Sequence, residues 1–519
     1  MTTQSPTPRR RTVLAAVLTL AAAALASAQE RPPAEPDDEG PALTVYSTAD
    51  PAGFDPQQFV AQQRMGYDPM FASQVPGFGV VKEVRRVELT EGLNTLRFVD
   101  VAEFVDPTTV SVTDLTSPEG TTVLEQSFQF DLVSPTKILE KYVGERVAHE
   151  TVKDGEVVKR VEGRVLSVNQ GQVVLETAEG LRFLSAMDPG LRLPALPAGL
   201  ITKPTLVWQL HADAGGEHRL RTTYQTSGMT WRADYNLVLD ATDTRADVGA
   251  WVTLLNLSGA SYENARLKLI AGDVQRVQPP QPVFRARRSE AKAGAAFEEK
   301  AFFEYHLYTL PRRTDVLQNA TQQITLFPTA HGVAVEKLLV YYGLPDAAHW
   351  GFFPDPMTDG NFGNQSSPKV DVYLRFHNAK ANQMGMPLPR GKVRVYKQDE
   401  ADGTLEFVGE DLLDHTPRDE TVLVKLGQAF DVVGERTQTD FRPDLPRNTM
   451  TESFRIQLRN HKDTPVSVLV KESLYRWVGW EVTASSDPFT KVDARTVHFE
   501  VEVPANGEKT VTYTVRYTW

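Results

Sequence analysis

Residues 224–240 read YQTSGMTWRADYNLVLD, and residues 251–274, after a short acidic connection, read WVTLLNLSGASYENARLKLIAGDV. In the first string Trp231, Ala233, Tyr235, Leu237 and Leu239 recur every second residue, the period of a strand with one apolar face. Arg232, Asp234, Asn236 and Asp240 belong to the opposite, polar face, with Val238 the exception. Aromatic and branched side chains on one face are the material of a sandwich core. In the second string Trp251, Thr253 and Leu255 alternate with Val252 and Leu254, a pattern that predicts burial on both faces. Asn256-Leu257-Ser258-Gly259 is the next turn, and residues 267–271 the next strand. The stretch is consecutive strand and turn.

The same grammar extends in both directions. Residues 206–210 and 219–224 alternate as strands leading into the opening motif. Earlier, GVVKEVRRVELTEGLNTLRFVDV (79–101) holds two alternating runs around Thr90-Glu91-Gly92-Leu93-Asn94, read as a hairpin with a glycine-bearing turn. Residues 138–193 give four or five short strands with turns at Asp154-Gly155, Asn169-Gln170-Gly171 and Glu179-Gly180, which suggests a small closed or half-closed barrel. Residues 54–77 show no clear period and read as a short helix or an irregular loop. The segments 278–300, rich in Pro, basic residues and Ala, and 354–368, PDPMTDGNFGNQSSP, read as a flexible insertion and an exposed loop. The expected fold is therefore all-β and multidomain, two or three antiparallel β-sandwiches plus a small β-barrel. The expected boundaries are 43–137 for an N-terminal β domain, 138–197 for the barrel and 198–519 for a large sandwich region.

Residues 1–28 read as an export signal. Arg9, Arg10 and Arg11 precede an apolar run from Val13 to Ala26, and Ala26-Ser27-Ala28 is a small-residue cleavage pattern. The run is shorter than the roughly 20 residues of a spanning helix. Residues 29–42, rich in Pro and acid, read as a disordered tether. The expected location is the periplasm or the cell exterior. The chain has no cysteine, which excludes disulfides, thiolate catalysis and cysteine-ligated metal sites. Its net charge is −12, more negative once the signal arginines are gone, and that argues against nucleic acid and anionic lipid as partners. No cofactor is expected.

Four constellations carry possible chemistry. Glu304, His306 and Tyr308 lie two apart and would share one face of a strand, as an acid–base pair or metal ligands; a polar outer sheet face is the plainer reading. Glu410, Asp411, Asp414 and His415, then Asp419 and Glu420, form the densest acidic cluster, without the spacing of an EF-hand. Arg375, His377, Arg390, Lys392 and Arg394 would grip an anionic glycan or pair across strands with that acidic segment. Tyr475, Trp477, Trp480 and Trp350 would stack on sugars or fill a core. The low-specificity candidate site is thus Glu304, His306, Tyr308, Asp414 and His415. There is no GxSxG elbow, Walker loop or HExxH helix.

The strings SGMTWRADYNLVLD and LLNLSGASYENARLKLIAGDV are similar to those of a bacterial family of secreted proteins of unknown function, whose large domain also closes mucoidy-inhibitor proteins. FEYHLY (303–308), MPLPRGKVRVY (386–396), FDVVGER (430–436) and the terminal residues 511–519 share the likeness, which covers residues 203–519, with a fainter one over 79–110. The small barrel stands where the mucoidy-inhibitor pattern has a coiled coil. The resemblance implies a β-rich, exported, non-catalytic protein with no established active-site residues. The leading expectation is a cell-envelope interaction or structural protein that binds an envelope protein or glycan. The alternatives are a hydrolase with an unrecognised acid–histidine site, and an outer-membrane barrel closed by VTYTVRYTW (511–519).

Overall fold

The alternation of Met229–Leu239 is obeyed in space: Trp231, Ala233, Tyr235, Leu237 and Leu239 are all buried. The polar tips of its aromatics are also satisfied. Trp231 Nε1 donates to the Val45 carbonyl at 3.1 Å, and the Tyr235 hydroxyl to the Pro389 carbonyl at 2.7 Å. Asp234 departs from the expected polar face. It is buried, accepting from Thr253 Oγ1 at 2.7 Å and Arg232 Nε at 3.1 Å, with Arg394 at 3.4 Å. The computed structural model describes residues 40–47, 55–64, 72, 74–131, 133–153, 156–195, 197, 200–272, 298–302, 305–344, 353–399 and 401–519. The signal segment, most of the tether, Asp154-Gly155 and most of the 278–300 insertion lie outside them. All the described residues fall within one compact unit, and they are almost entirely strand.

The N-terminal part is a sandwich of an eight-stranded and a three-stranded sheet. Gly77–Leu89 and Gly92–Val99 were expected to pair as a hairpin, but they belong to different sheets. The first pairs with Gly40–Ser47 and Gly216–Thr226, the second with Thr205–Ala212. The chain turns a corner at Gly92, which takes φ +92°, and crosses the core. Val105–Asp114 with Thr121–Gln129, and Thr205–Ala212 with Gly216–Thr226, turn the same kind of corner. Phe98, Leu206, Trp208, Leu220 and Tyr224 fill the space between. Residues 40–42, expected in the tether, are already strand, since Gly40–Ser47 pairs in parallel with Tyr262–Ala271. The unpatterned stretch beginning at residue 54 contains the helix Pro56–Arg64.

Residues 146–192 form a five-stranded antiparallel sheet, edged by Leu191–Arg192 and Gly180–Ser185. The two edges do not pair, so the small barrel is an open sheet. The reason is the helix Pro135–Lys141, capped by Ser134 accepting from the Lys137 N–H at 3.2 Å. Its Leu139 is buried among Val147, Val165, Val173 and Leu175, so a helix fills the side that strand closure would have filled.

The remaining thirteen strands form one continuous sheet wrapped around two cores. Met229–Leu239 pairs antiparallel with Arg245–Asn256 and parallel with Gly391–Gln398. Ala320–Tyr342 and Thr421–Asp444, 23 and 24 residues long, pass from one core to the other. The second core is lined by Thr449–Asn460, Val466–Ser473, Thr496–Val503 and Gly507–Thr518. Val511, Tyr513, Val515 and Tyr517 point into it, with the Tyr513 ring 5.3 Å from Phe454 and 5.6 Å from Phe499. An outer-membrane strand would turn that face to lipid. Here it meets other side chains, and no described sheet closes on itself, so the membrane-barrel alternative is set aside.

In the N-terminal sandwich Asp114 is a buried hub. It accepts from His218 at 2.6 Å, Thr121 Oγ1 at 2.7 Å and the Thr116 and Ser117 N–H groups at 2.8 and 3.1 Å. Burial pushes its carboxyl up, but the hydrogen bonds from Thr121, His218, Ser117 and Thr116 outweigh burial and leave it below the ordinary value. A depressed folded value adds stability that is complete above the unfolded carboxylate range and drains as pH falls through the folded one. Asp114→Asn should therefore lose about 1–3 kcal/mol at neutral pH. Its stability should also fall less steeply than wild type below a pH of about 4. Urea melts from pH 7 to 3 would show this; parallel curves for the two proteins would sink it.

Candidate functional site

The residues nominated from the sequence are only partly brought together. Glu304 lies outside the described residues. His306 and Tyr308 stand on Tyr305–Thr309, opposite Ala271 and Leu269, and do share a face. That face is not a polar outer one. Tyr308 is fully buried, its ring edge-on to Trp231 at 6.2 Å and its hydroxyl donating to the Pro387 carbonyl at 3.3 Å. His306 beside it is half-buried. Asp414 and His415 directly follow the strand Leu405–Leu413, where Asp414 Oδ1 accepts the His415 N–H at 2.9 Å. His415 Nδ1 accepts the Arg390 N–H at 3.1 Å. Tyr308 and His415 thus attach to the two ends of one segment, residues 387–390, which Tyr235 also holds through Pro389. Among the described residues no three His, Asp or Glu converge as metal ligands.

The basic constellation pairs across strands. Lys392 lies 3.4 Å and Arg394 3.7 Å from Glu410, and Arg375 pairs with Glu336, its direct cross-strand partner. Asp411 takes a different part. Its Oδ2 accepts the Lys425 N–H at 2.6 Å, joining two strands that share no main-chain ladder there. Of the aromatics, Trp350 lies outside the described residues. Tyr475 is buried, and Trp480 has its N–H on the Ala494 carbonyl at 2.7 Å and Lys491 over its ring at 4.3 Å.

The densest chemistry lies in the second core, in residues that no motif had marked. Arg436 Nε meets Glu472 Oε2 at 2.9 Å, and Arg476 Nε meets Glu452 Oε2 at 2.7 Å, with all four side chains at 0 % exposure. The Tyr513 hydroxyl donates to Glu472 at 2.5 Å and the Tyr517 hydroxyl to Glu452 at 3.0 Å. Phe454 lies under the Arg436 guanidinium at 3.7 Å and Phe441 under that of Arg476 at 4.5 Å, adding cation–π contact. Burial, then the Glu472 charge, hold the Tyr513 phenol far above its ordinary range.

Both guanidiniums also reach the segment expected to be an exposed loop. Arg476 donates to the carbonyls of Met357, Asp359 and Phe362 at 2.8, 2.7 and 3.0 Å, and Arg436 to that of Gly363 at 2.8 Å. Residues 357–363 are therefore a strap over the ion pairs, although several of their side chains face solvent. The signal for the cluster was its phase. Glu452 occupies an inward slot between Met450 and Phe454, and Glu472 one after Val468 and Val470. A charge in the apolar register of a buried strand is inward and must be paired.

The fold and this cluster define a class: a β-sandwich protein whose C-terminal half is assembled around buried ion pairs closed by a strap. The chain belongs to the DUF4139 family, a domain of unknown function, whose model matches residues 220–519. The ion pairs, the strap and the 387–390 segment all fall inside that span, and the five-stranded sheet outside it. No curated protein matches the chain.

Glu472→Gln leaves Arg436 buried without its counter-charge and should destabilise by about 3–5 kcal/mol. Replacing both partners by Met should recover much of that loss; a double variant as unstable as the single one in urea melts would argue against the assignment. Arg476→Ala should raise amide exchange of residues 357–363 well before that of the Gly507–Thr518 strand. Unchanged exchange would show that the strap is held by something else.

Proposed function

We propose that the protein is an exported, non-catalytic interaction protein of the cell envelope, which binds a protein or glycan partner through exposed sheet edges and surface grooves. The observation that carries this reading is the strand Gly180–Ser185. It has no strand partner on its outer side among the described residues, and it presents Leu181 and Phe183 to solvent at 58 % and 71 % exposure. An open edge with outward apolar side chains is a template for an added strand. In contrast, the buried ionisable groups are committed to the fold: Asp114 to a loop, Arg436 and Arg476 to their glutamates and the strap. Export rests on the N-terminal arginines, apolar run and Ala26-Ser27-Ala28 pattern. Kinship with mucoidy-inhibitor proteins belongs to the same proposal and rests on the sequence strings alone.

Two measurements test it. Fractionation should find the protein outside the cytoplasm with a mature N-terminus at Gln29; an intact N-terminus in the cytoplasm would remove the envelope from the proposal. A Leu181→Lys, Phe183→Lys double variant should melt like wild type but lose a crosslinked partner captured from envelope fractions. Equal capture by both proteins would show that this edge is not the contact.

A further inference from the structure

The five-stranded sheet carries a second feature with a specific chemistry. A groove of about 740 Å³ lies between the helix Pro135–Lys141 and the first two strands of the sheet, lined among others by Lys141, Tyr142, Arg146, Arg164, Pro194 and Pro197. Its volume is that of a ligand site. Arg146 and Arg164 are direct cross-strand partners in the antiparallel pair Arg146–Lys153 and Glu156–Asn169. Both are exposed and both are always charged. Like charges in that position repel.

Three other cations of the same sheet have carboxylates. Arg192 and Arg160 reach Glu150 at 2.9 and 3.4 Å, and Lys159 reaches Glu179 at 2.8 Å. The Arg164 side chain has only the Gly144 carbonyl, at 2.9 Å, and the Arg146 side chain makes no hydrogen bond or ion pair among the described residues. Lys141 is shared with Asp131 at 3.5 Å, and Glu145 is the one acid in the lining. In a chain of net charge −12, a groove with three cations to one acid is not a sample of the average surface.

We propose that this groove binds a short acidic peptide segment, with a carboxylate seated across the Arg146–Arg164 pair. A carboxylate there turns a repulsive cross-strand pair into two charge-assisted forks. A peptide fits better than an acidic glycan because the apolar walls are two prolines. The lining aromatic, Tyr142, is buried with its hydroxyl on the Ala195 carbonyl at 2.7 Å and offers no open face to a sugar. The proposal deepens the binding reading above by naming a ligand class.

The test is fluorescence anisotropy with a labelled octaglutamate peptide on the full-length protein at low salt, beside a neutral octapeptide and an oligouronate of similar charge. Saturable binding of octaglutamate, weakened about tenfold or more by Arg146→Glu and abolished in Arg146→Glu, Arg164→Glu, is expected. Arg146→Ala should melt no lower than wild type, since it relieves repulsion, and should still bind more weakly. No octaglutamate binding, equal binding by the double variant, or tighter binding of the oligouronate would each overturn the proposal. If the Leu181, Phe183 variant still loses its envelope partner in that event, the edge-binding reading stands without the groove.

Discussion

The C-terminal half depends on four charges kept out of water in two matched pairs. Removing an arginine and a glutamate from solvent costs several kcal/mol per ion, and only close contact with further hydrogen bonds returns it. The Arg476–Glu452 pair meets that condition in full, whereas in Arg436–Glu472 the buried Nη2 of the arginine and Oε1 of the glutamate have no hydrogen-bond partner among the described residues. Each glutamate takes a guanidinium and a tyrosine hydroxyl, and from residues 357–363 Arg476 adds three carbonyls and Arg436 one. The arrangement constrains register more strongly than apolar packing does. A one-residue slip of the Thr449–Asn460 strand would turn Glu452 out and leave Arg476 without a counter-charge in the core. Gly343 shows how tightly the space is used, because an added Cβ there would fall onto Glu472 Oε1.

The ion pairs also explain why the strap exists. Each guanidinium has more donors than one carboxylate can absorb in this geometry, and buried donors need acceptors. Backbone carbonyls of an irregular segment supply three for Arg476 and one for Arg436 without bringing another charge into the core. Residues 357–363 can thus lack periodicity and keep polar side chains toward water while their main chain belongs to the interior. Composition alone shows the side chains and hides the carbonyls. The DUF4139 span contains both halves of the device, whereas the small sheet with its open edge and cationic groove lies outside that span.

Much of the architecture was legible from alternation. Trp231, Ala233, Tyr235, Leu237 and Leu239 fell on the buried face as their period required, and the expected barrel is an open sheet with the helix at residues 135–141 packed on it. Alternation is silent on which strands pair, so the residues around Gly92 read as a hairpin although the two strands cross a core into different sheets. The candidate site was less legible. His306, Tyr308, Asp414 and His415 stood out by residue type, yet Tyr308 is a core residue and His415 holds the main chain of Arg390. The glutamates of the second core stood out only by phase, and their arginine partners lie 24 and 36 residues away.

The placement of the first described strand bears on how the molecule is made. Gly40–Ser47 is not an edge. It lies between Gly77–Leu89 and Tyr262–Ala271, so the sheet is divided until both neighbours are present. The nearer neighbour follows within a few dozen residues, but the parallel one pairs Leu43 with Leu267, more than two hundred positions later. A chain emerging from its N-terminus therefore exposes one face of that strand's ladder until about half the polypeptide has been made. Long-range parallel pairing of this kind is slow, and an unpaired ladder is sticky while it waits. The mature sheet conceals a vulnerability that belongs to its assembly.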